Sequence, residues 1–340
     1  MKSVLIGISG GVDSSVAAAL LKDKGYKVIG CTMRLWSDSI EDDARKVCEH
    51  LGIEFRVLDF REKFHNNVVD YFINSYKSGK TPNPCIMCNK YLKFGAMLEY
   101  AKEEGIDYIS TGHYAKIEQD ESGKYTLNIS DADNKDQSYF LYNMTQEILS
   151  RTLMPLGDYN KLQVREIADR LNLPVANKPE SQEICFVEDD DYAKFICEHG
   201  NYTPKKGNIL DIHENVIGEH MGLIYYTIGQ RKGIGAYGRP MFVKEINPKD
   251  NTITLGEKGM EFSDSLVAEN VNFISGELPV QPIEVQVKIR YQAKKADALL
   301  IPLDGSQIKL EFKEPQRAVT SGQAAVFYND STVLGGGTVI

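Results

Sequence analysis

Three cysteines and one glycine-rich turn are the residues of this chain best suited to chemistry. Cys85 and Cys88 stand three apart in NPCIMCNK (83–90), on what reads as an exposed loop after Thr81 and Pro82. Cys88 precedes a helix expected to begin near Lys90, and a helix N-terminus lowers a thiol's pKa toward the reactive thiolate. Cys185 lies in PESQEICFVEDDDYAKF (179–195), between polar loop residues and the acidic start of the next helix. Cys31 on a strand, Cys48 on a helix and Cys197 in YAKFICEHG read as small buried hydrophobes. The turn is GISGGVDSS (7–15). Gly10 and Gly11 allow a tight bend and close backbone approach. Consecutive N–H groups and the positive end of the following helix make an anion cradle, to which Ser9, Ser14 and Ser15 add hydroxyls. No Gly-Lys-Ser/Thr follows, so this loop brings no lysine to the β- and γ-phosphates, and cleavage of the terminal phosphate is the less natural chemistry. A plain turn capped by Asp13 or Ser14 needs fewer serines and glycines than the stretch contains.

These residues need a frame. SVLIGI (3–8), KVIGCTMRL (27–35), EFRVLDF (54–60) and DYISTG (107–112) read as buried strands. Helical patterns at 15–25, 40–52 and 91–105 alternate with them, the second with Ala44, Val47 and Leu51 on one face. That rhythm predicts an α/β fold with an open, doubly wound parallel sheet, whose ligands sit beyond the carboxyl ends of the strands. The glycine-rich turn and His113, which follows Gly112 at a strand end, both fall there. NYTPKKGNI (201–209) reads as a linker. Beyond it the strands LDIHENVIGE, MFVKEINPKDNTITLG, IEVQVKIRYQ, SQIKLEF and QAAVFYND, with turns at 247–251 and 328–330, predict two small β modules. The expected division is a nucleotide-binding catalytic domain over 1–203, a central β domain over 204–265 and a C-terminal, barrel-like β domain over 266–340.

A chain of 340 residues exceeds one compact core. It has no apolar run of ~18 residues and no signal peptide, which predicts a cytoplasmic protein with reduced, metal-bound or catalytic cysteines. The net charge of −9 argues against non-specific nucleic-acid binding. The excess is uneven: residues 1–200 hold 24 Lys/Arg against 32 Asp/Glu and residues 201–340 hold 15 against 16, and an acidic chain can still bind RNA through a local basic surface. KDQSYFLY (135–142) offers Asp136 as a helix cap, with Lys135 beside it as a candidate phosphate contact. GQRKGIG (229–235) is a solvated hairpin or a phosphate-contacting loop, and composition does not separate the two.

SGGVDS resembles the loop of the N-type ATP pyrophosphatases, which transfer AMP to a substrate oxygen and release pyrophosphate. SGGVDSS, TPNP, the CN and KF that follow it, TGHYA, KDQSYFL, ICF and YTIGQRKG occur in the order of the tRNA-specific 2-thiouridylases, and the resemblance covers essentially the whole chain. It implies an enzyme that adenylates O2 of the wobble uridine and replaces it with sulfur, using ATP and Mg²⁺. The substrates would be the tRNAs for Lys, Glu and Gln, and the sulfur donor a cysteine desulfurase or sulfur-relay protein. Carried over residue by residue, it implies that Gly7, Ile8, Ser9, Gly10, Gly11, Val12, Asp13 and Ser14 hold ATP, with Met33 at the adenine and Gly112 also on the nucleotide. It implies that Cys185 carries a persulfide and that Cys88 releases the sulfur by forming a disulfide with it. Asn83, Pro84 and Cys85 would face the target base. His113, Lys135, Asp136, Gln137, Arg290, Tyr291 and Gln323 would contact tRNA.

Cys85 stands where many members have Asp. Cys85, Cys88 and Cys185 would alternatively hold a [4Fe–4S] cluster with one open iron, and both sulfur carriers stay open at this level. A four-cysteine zinc site including Cys197 fits less well, because Cys197 falls inside a helix. Two rivals remain: an adenylating ligase that needs neither Cys88 nor Cys185, and a non-catalytic sulfur-carrier adaptor that binds tRNA and nucleotide but releases no pyrophosphate.

Overall fold

The computed structural model describes residues 1–36, 41–132, 135–179 and 184–340. Ile40 and residues 180–183, parts of two expected segments, lie outside them. The first part runs β1 (Ser3–Gly7), α1 (Val12–Asp23), β2 (Lys27–Arg34), α2 (Glu41–Leu51) and β3 (Glu54–Asp59). There follow α3 (Arg61–Phe64), a π-helical stretch (His65–Val69) and α4 (Asp70–Lys77); then α5 (Pro84–Cys88), a second π-helical stretch (Asn89–Ala96) and α6 (Met97–Glu103). β4 (Tyr108–Ser110), β5 (Lys116–Gln119), β6 (Tyr125–Asn128), α7 (Gln146–Ser150), β7 (Thr152–Leu153), α8 (Lys161–Arg170) and α9 (Tyr192–His199) complete it.

Five strands form an all-parallel sheet of order β3-β2-β1-β4-β7. Pleating decides which helix each residue of β1 meets. Val4 and Ile6 pack with α1, α2 and α8 through Val16, Leu21, Val47 and Ile167, whereas Leu5 packs with α6 through Met97, Leu98 and Ala101. Both faces are covered, so the strand is apolar throughout and fully buried at Val4, Leu5 and Ile6. The chain adds β2 and β3 on one side of β1 and β4 on the other. The crevice between the carboxyl ends of β1 and β4 is therefore the switch point at which such sheets bind ligands.

The helix read as starting near Lys90 begins six residues earlier. Asn83 is its N-cap, accepting from the Ile86 N–H at 3.4 Å, and Pro84 takes the first helical position, where a missing N–H costs nothing. The cysteine pair thus lies in a helix, not on an exposed loop.

The second part forms two β units. β8 (Gly207–Leu210), β9 (Val216–His220), β10 (Met241–Asn247) and β11 (Thr252–Glu257) make a four-stranded sheet. β8 starts inside the stretch read as linker, because its backbone pairs in parallel with β11, some 45 residues later. The stretch 210–219 spans the end of β8, a hairpin turn over 211–215 and most of β9, and is not one strand. β12 (Phe262–Phe273), β13 (Ile283–Lys288), β14 (Ala296–Pro302), β15 (Ile308–Arg317), β16 (Ala324–Asn329) and β17 (Thr332–Val339) pair in the order β12-β15-β14-β13-β16-β17. The β12–β17 pairing closes this ring into a barrel and so removes its free edges. The hairpin β5–β6 pairs onto β17 and ties the first 130 residues to the barrel. The turn at 247–251 forms as expected, with Asn247 Oδ1 accepting from the Lys249 and Asp250 N–H groups.

Candidate active site

The glycine-rich turn leaves β1 at Gly7 and enters α1 at Val12, three residues earlier than the sequence pattern implies. Gly10 has φ +68°, in the left-handed region, and Gly11 is the helix N-cap with no side-chain cap. The serines shape the loop from inside. The Ser9 N–H donates to Ser14 Oγ at 3.2 Å, and the Ser14 and Ser15 hydroxyls donate to the Gly11 carbonyl at 3.3 and 2.8 Å. The helix end stays open toward an anion. Met33 and Gly112 both meet this turn. A Cβ added at Gly7 would lie 3.2 Å from Met33 Cε, and one added at Gly112 would lie 2.6 Å from the Ser14 nitrogen. Ile8 and Val12 are buried anchors whose side chains belong to the core, so only their backbones face a ligand.

Asp13 is not a free ligand. Its carboxylate accepts from Lys161 Nζ at 2.6 and 2.8 Å and from the Tyr114 hydroxyl at 2.7 Å. It braces α1 against the first residue of α8, where Asn160 and Gln163 form a reciprocal capping box. With Asp13 so engaged, the turn offers no spare carboxylate to Mg²⁺. Lys178 Nζ lies near the turn, 3.7 Å from where a Gly10 Cβ would stand, and is paired with Asp43 Oδ2 at 2.8 Å.

The structure brings the three cysteines of interest into one region. Cys88 is buried, in an apolar cluster with Leu92, Phe186 and Ile224. The aromatic rings of Phe64, Phe72, Phe186 and Phe195 brace that cluster at centroid separations of 5.2–6.1 Å. Cys85 and Cys185 keep surface open to solvent, yet the protein packed around each thiol still desolvates it in part. Burial against the surrounding protein pushes the Cys185 thiol up to about 11, and the nearby Cys88 and Cys85 add to the rise. Burial likewise raises Cys85 and Cys88, with Lys93 opposing. The expected lowering of Cys88 is therefore overturned: it sits at the end of α5, inside a continuous helical run, where the dipole of a helix start does not reach it.

Lys93 is the cation that faces Cys85, Cys88, Cys185 and His113. Sequence reasoning missed it. In an α-helix it would lie about 140° around the axis from Cys88. The π-helical register over Asn89–Ala96 turns it back toward the cysteine face. Gly95 permits the widened turn, since an added Cβ would meet the Lys90 carbonyl at 2.8 Å. Among the described residues no three His, Cys, Asp or Glu side chains converge to hold a metal ion. As placed among the described residues, the thiols do not fit an iron–sulfur cluster. Cys197 lies in α9 and Cys31 and Cys48 lie in the core.

His113 is buried, its Nδ1 2.7 Å from Thr111 Oγ1 and its ring against Phe94. Burial, then the Lys93 charge, holds its imidazolium well below the usual histidine range. Gln137 is bonded to the Tyr114 backbone on both sides, Oε1 accepting at 3.0 Å and its N–H donating at 2.8 Å. Asp136 accepts from the Ser130 and Ser138 N–H groups and the Ser138 hydroxyl, closing the entry to the 3₁₀ turn Ser138–Leu141. Tyr291 packs on Phe140 at 4.5 Å, so Lys135 and the Arg290–Tyr291 bend share one seam between the α/β part and the barrel. Arg290 and Tyr291 stand beyond β13 rather than within a strand. Gln323 is half-buried, and its amide donates to the Thr81 carbonyl at 2.9 Å. No helix among the described residues is long and apolar enough to cross a membrane.

Three family profiles tile the chain: "tRNA methyl transferase HUP domain" over residues 2–189, "tRNA methyl transferase PRC-barrel domain" over 193–257 and "Aminomethyltransferase beta-barrel domain" over 263–339. Curated relatives match at full length. A protein of Clostridioides difficile is 52% identical across 99% of this chain and 98% of its own, and one of Clostridium perfringens is 50% identical across the same shares. One of Acetivibrio thermocellus is 49% identical across 99% of both. All three carry the name tRNA-specific 2-thiouridylase MnmA.

Proposed function

Because the chain belongs to the tRNA-specific 2-thiouridylase family, we propose that it is a tRNA sulfurtransferase that replaces O2 of the wobble uridine with sulfur at the expense of ATP. The observation that carries this reading is the grouping of Cys185 with Cys88 and Cys85 around Lys93, in a fold whose switch point presents an open anion cradle. The turn from Gly7 to Ser14 holds the triphosphate, Met33 and Gly112 bound the nucleotide, and the Asp13–Lys161 brace keeps the turn in shape.

Uracil O2 attacks the α-phosphorus, a P–O bond forms and pyrophosphate leaves. The terminal sulfur of a Cys185 persulfide attacks C2. The Cys88 thiolate then attacks Cys185 Sγ, so that the S–S bond to the transferred sulfur breaks, a Cys88–Cys185 disulfide forms and AMP is expelled as C2=S is established. A dithiol reductant returns the disulfide to thiols before the next round. Lys93 favours each sulfur anion in turn. Cys85 sits in the first turn of α5 with its thiol raised by burial, and so it positions the base rather than taking its proton. The uridine must leave the anticodon stack to reach this site, as other base-modifying enzymes require. Residues 1–203 do the chemistry, and 204–265 and 266–340 grip the RNA. The substrates are the tRNAs for Lys, Glu and Gln in the cytoplasm, and a cysteine desulfurase or sulfur-relay protein loads Cys185.

The test supplies ATP, tRNA and a desulfurase with cysteine, and measures AMP, pyrophosphate and 2-thiouridine. The wild type releases one AMP and one pyrophosphate per thiolated uridine. Cys185→Ser forms no thiouridine, and Cys88→Ser stalls after loading. Thiolation at wild-type rate by both variants overturns the relay. The absence of pyrophosphate release from the wild type supports the adaptor instead.

A further inference from the structure

Two lysines that no motif singles out stand on the barrel side of the seam. Lys288 ends β13 and Lys295 lies one residue before β14, with the Arg290–Tyr291 bend between them. Lys288 Nζ lies 5.6 Å from the Tyr291 ring centroid, and Lys295 Nζ lies 4.4 Å from that of Tyr328 and donates to the Asp330 carbonyl. Both are half-buried. Burial lowers each from the usual lysine range, and the Lys288 charge lowers Lys295 further. Asp136 faces both and Asp330 faces Lys295, but neither completes an ion pair with them. Asp136 accepts instead from the Ser130 and Ser138 N–H groups and the Ser138 hydroxyl. Lys135 approaches Tyr291 from the α/β side. The guanidinium of Arg290 is held by the Arg317 carbonyl at 3.0 Å.

Partly buried cations that repel each other, over aromatic rings and short of carboxylates, are stabilised by an incoming anion. Lysines reach a phosphate as point charges on flexible stems, and aromatic rings beside them suit ribose and base faces. The nucleotide's phosphates belong to the glycine-rich turn, which shares no residue with this cluster. Resting on the tRNA reading above, we infer that Lys288 and Lys295 form a seat for the sugar-phosphate backbone of the RNA, laid across the seam on the Tyr291–Phe140 pair.

The test is tRNA binding at several salt concentrations for the wild type, Lys288→Met/Lys295→Met and Lys288→Arg/Lys295→Arg. Each phosphate contact adds roughly 0.7–0.9 to the slope of log K against log salt. The Met pair should therefore lose about 1.4–1.8 of that slope and the Arg pair should keep it. ATP binding without tRNA should be unchanged in both. A Met-pair slope equal to wild type overturns the seat. Weakened ATP binding with an intact slope also overturns it, by assigning the lysines to the nucleotide. A wild type that binds no tRNA at any salt overturns the enzyme reading itself, a result distinct from either.

Discussion

The side-chain amide of Gln323, in the turn before β16, donates to the carbonyl of Thr81, two residues before the Asn83 cap of the cysteine helix. The backbone repeats the contact. The Thr81 N–H donates to the Ser321 carbonyl at 2.9 Å, and Gly322 passes so close that a Cβ would meet Thr81 O at 2.9 Å. The barrel thus holds the entry to the cysteine helix, although 242 residues separate the bonded pair. Replacing Gln323 by Leu leaves the Thr81 carbonyl without this donor, at a cost of about 1–3 kcal/mol. The expected outcome is faster hydrogen exchange across residues 80–88 in the free protein and slower thiolation. Unchanged exchange there would return Gln323 to a purely RNA-facing role.

The thiols of the free protein should be slow nucleophiles at neutral pH. Alkylation of Cys185 should rise with pH toward a midpoint near 11, since burial and the neighbouring Cys88 and Cys85 disfavour its anion. Lys93→Met removes a cation that opposes this at all three thiols, so the profile should shift upward, and Lys93→Arg should restore it. Thiolation by the Met variant should fall by about 10²-fold or more, the scale on which a group assisting ionisation acts. A coincident alkylation profile for wild type and Lys93→Met would remove Lys93 from the site.

His113 should make stability fall in mild acid. Its folded-state pKa is depressed, so between that value and about 6.5 the unfolded chain binds more protons than the folded one. Stability then rises with pH through this window and is fully present above it. Urea unfolding of wild type and His113→Gln from pH 5 to 8 checks the sign. The wild type should lose stability below about pH 6.5, and the variant should lose less.

Gly112→Ala should damage both stability and nucleotide binding. The added methyl carbon would meet Ser14 N at 2.6 Å, Ser14 Cα at 2.8 Å and Asp13 C at 2.9 Å, and backbone cannot rotate away. Overpacking of this kind costs about 1–3 kcal/mol. Displacement of the cradle should raise the KM for ATP about tenfold or more, which corresponds to about 1.4 kcal/mol. An unaltered KM would show that the turn tolerates a wider crevice.

Much of the α/β frame was legible because it rests on local patterns. The buried strand SVLIGI, the glycine stop at Gly25 and the turn after β1 each follow from a few adjacent residues. The start of the cysteine helix was legible too, in the Asn83-Pro84 pair, but two cysteines drew the stretch toward a loop. Lys161 and Lys178 carried no such signal, because each acquires its role from a partner distant in sequence.

By itself the sequence determined the parallel sheet, the phosphate turn at its switch point and the identity of the cysteines, because periodicity, glycine conformation and residue type are properties of neighbouring positions. Only the tertiary structure decided that Cys88 is buried with a raised thiol, that Lys93 faces it, and that Gln323 pins Thr81. Burial, the phase of a π-helical turn and the closure of a barrel depend on residues tens to hundreds of positions away.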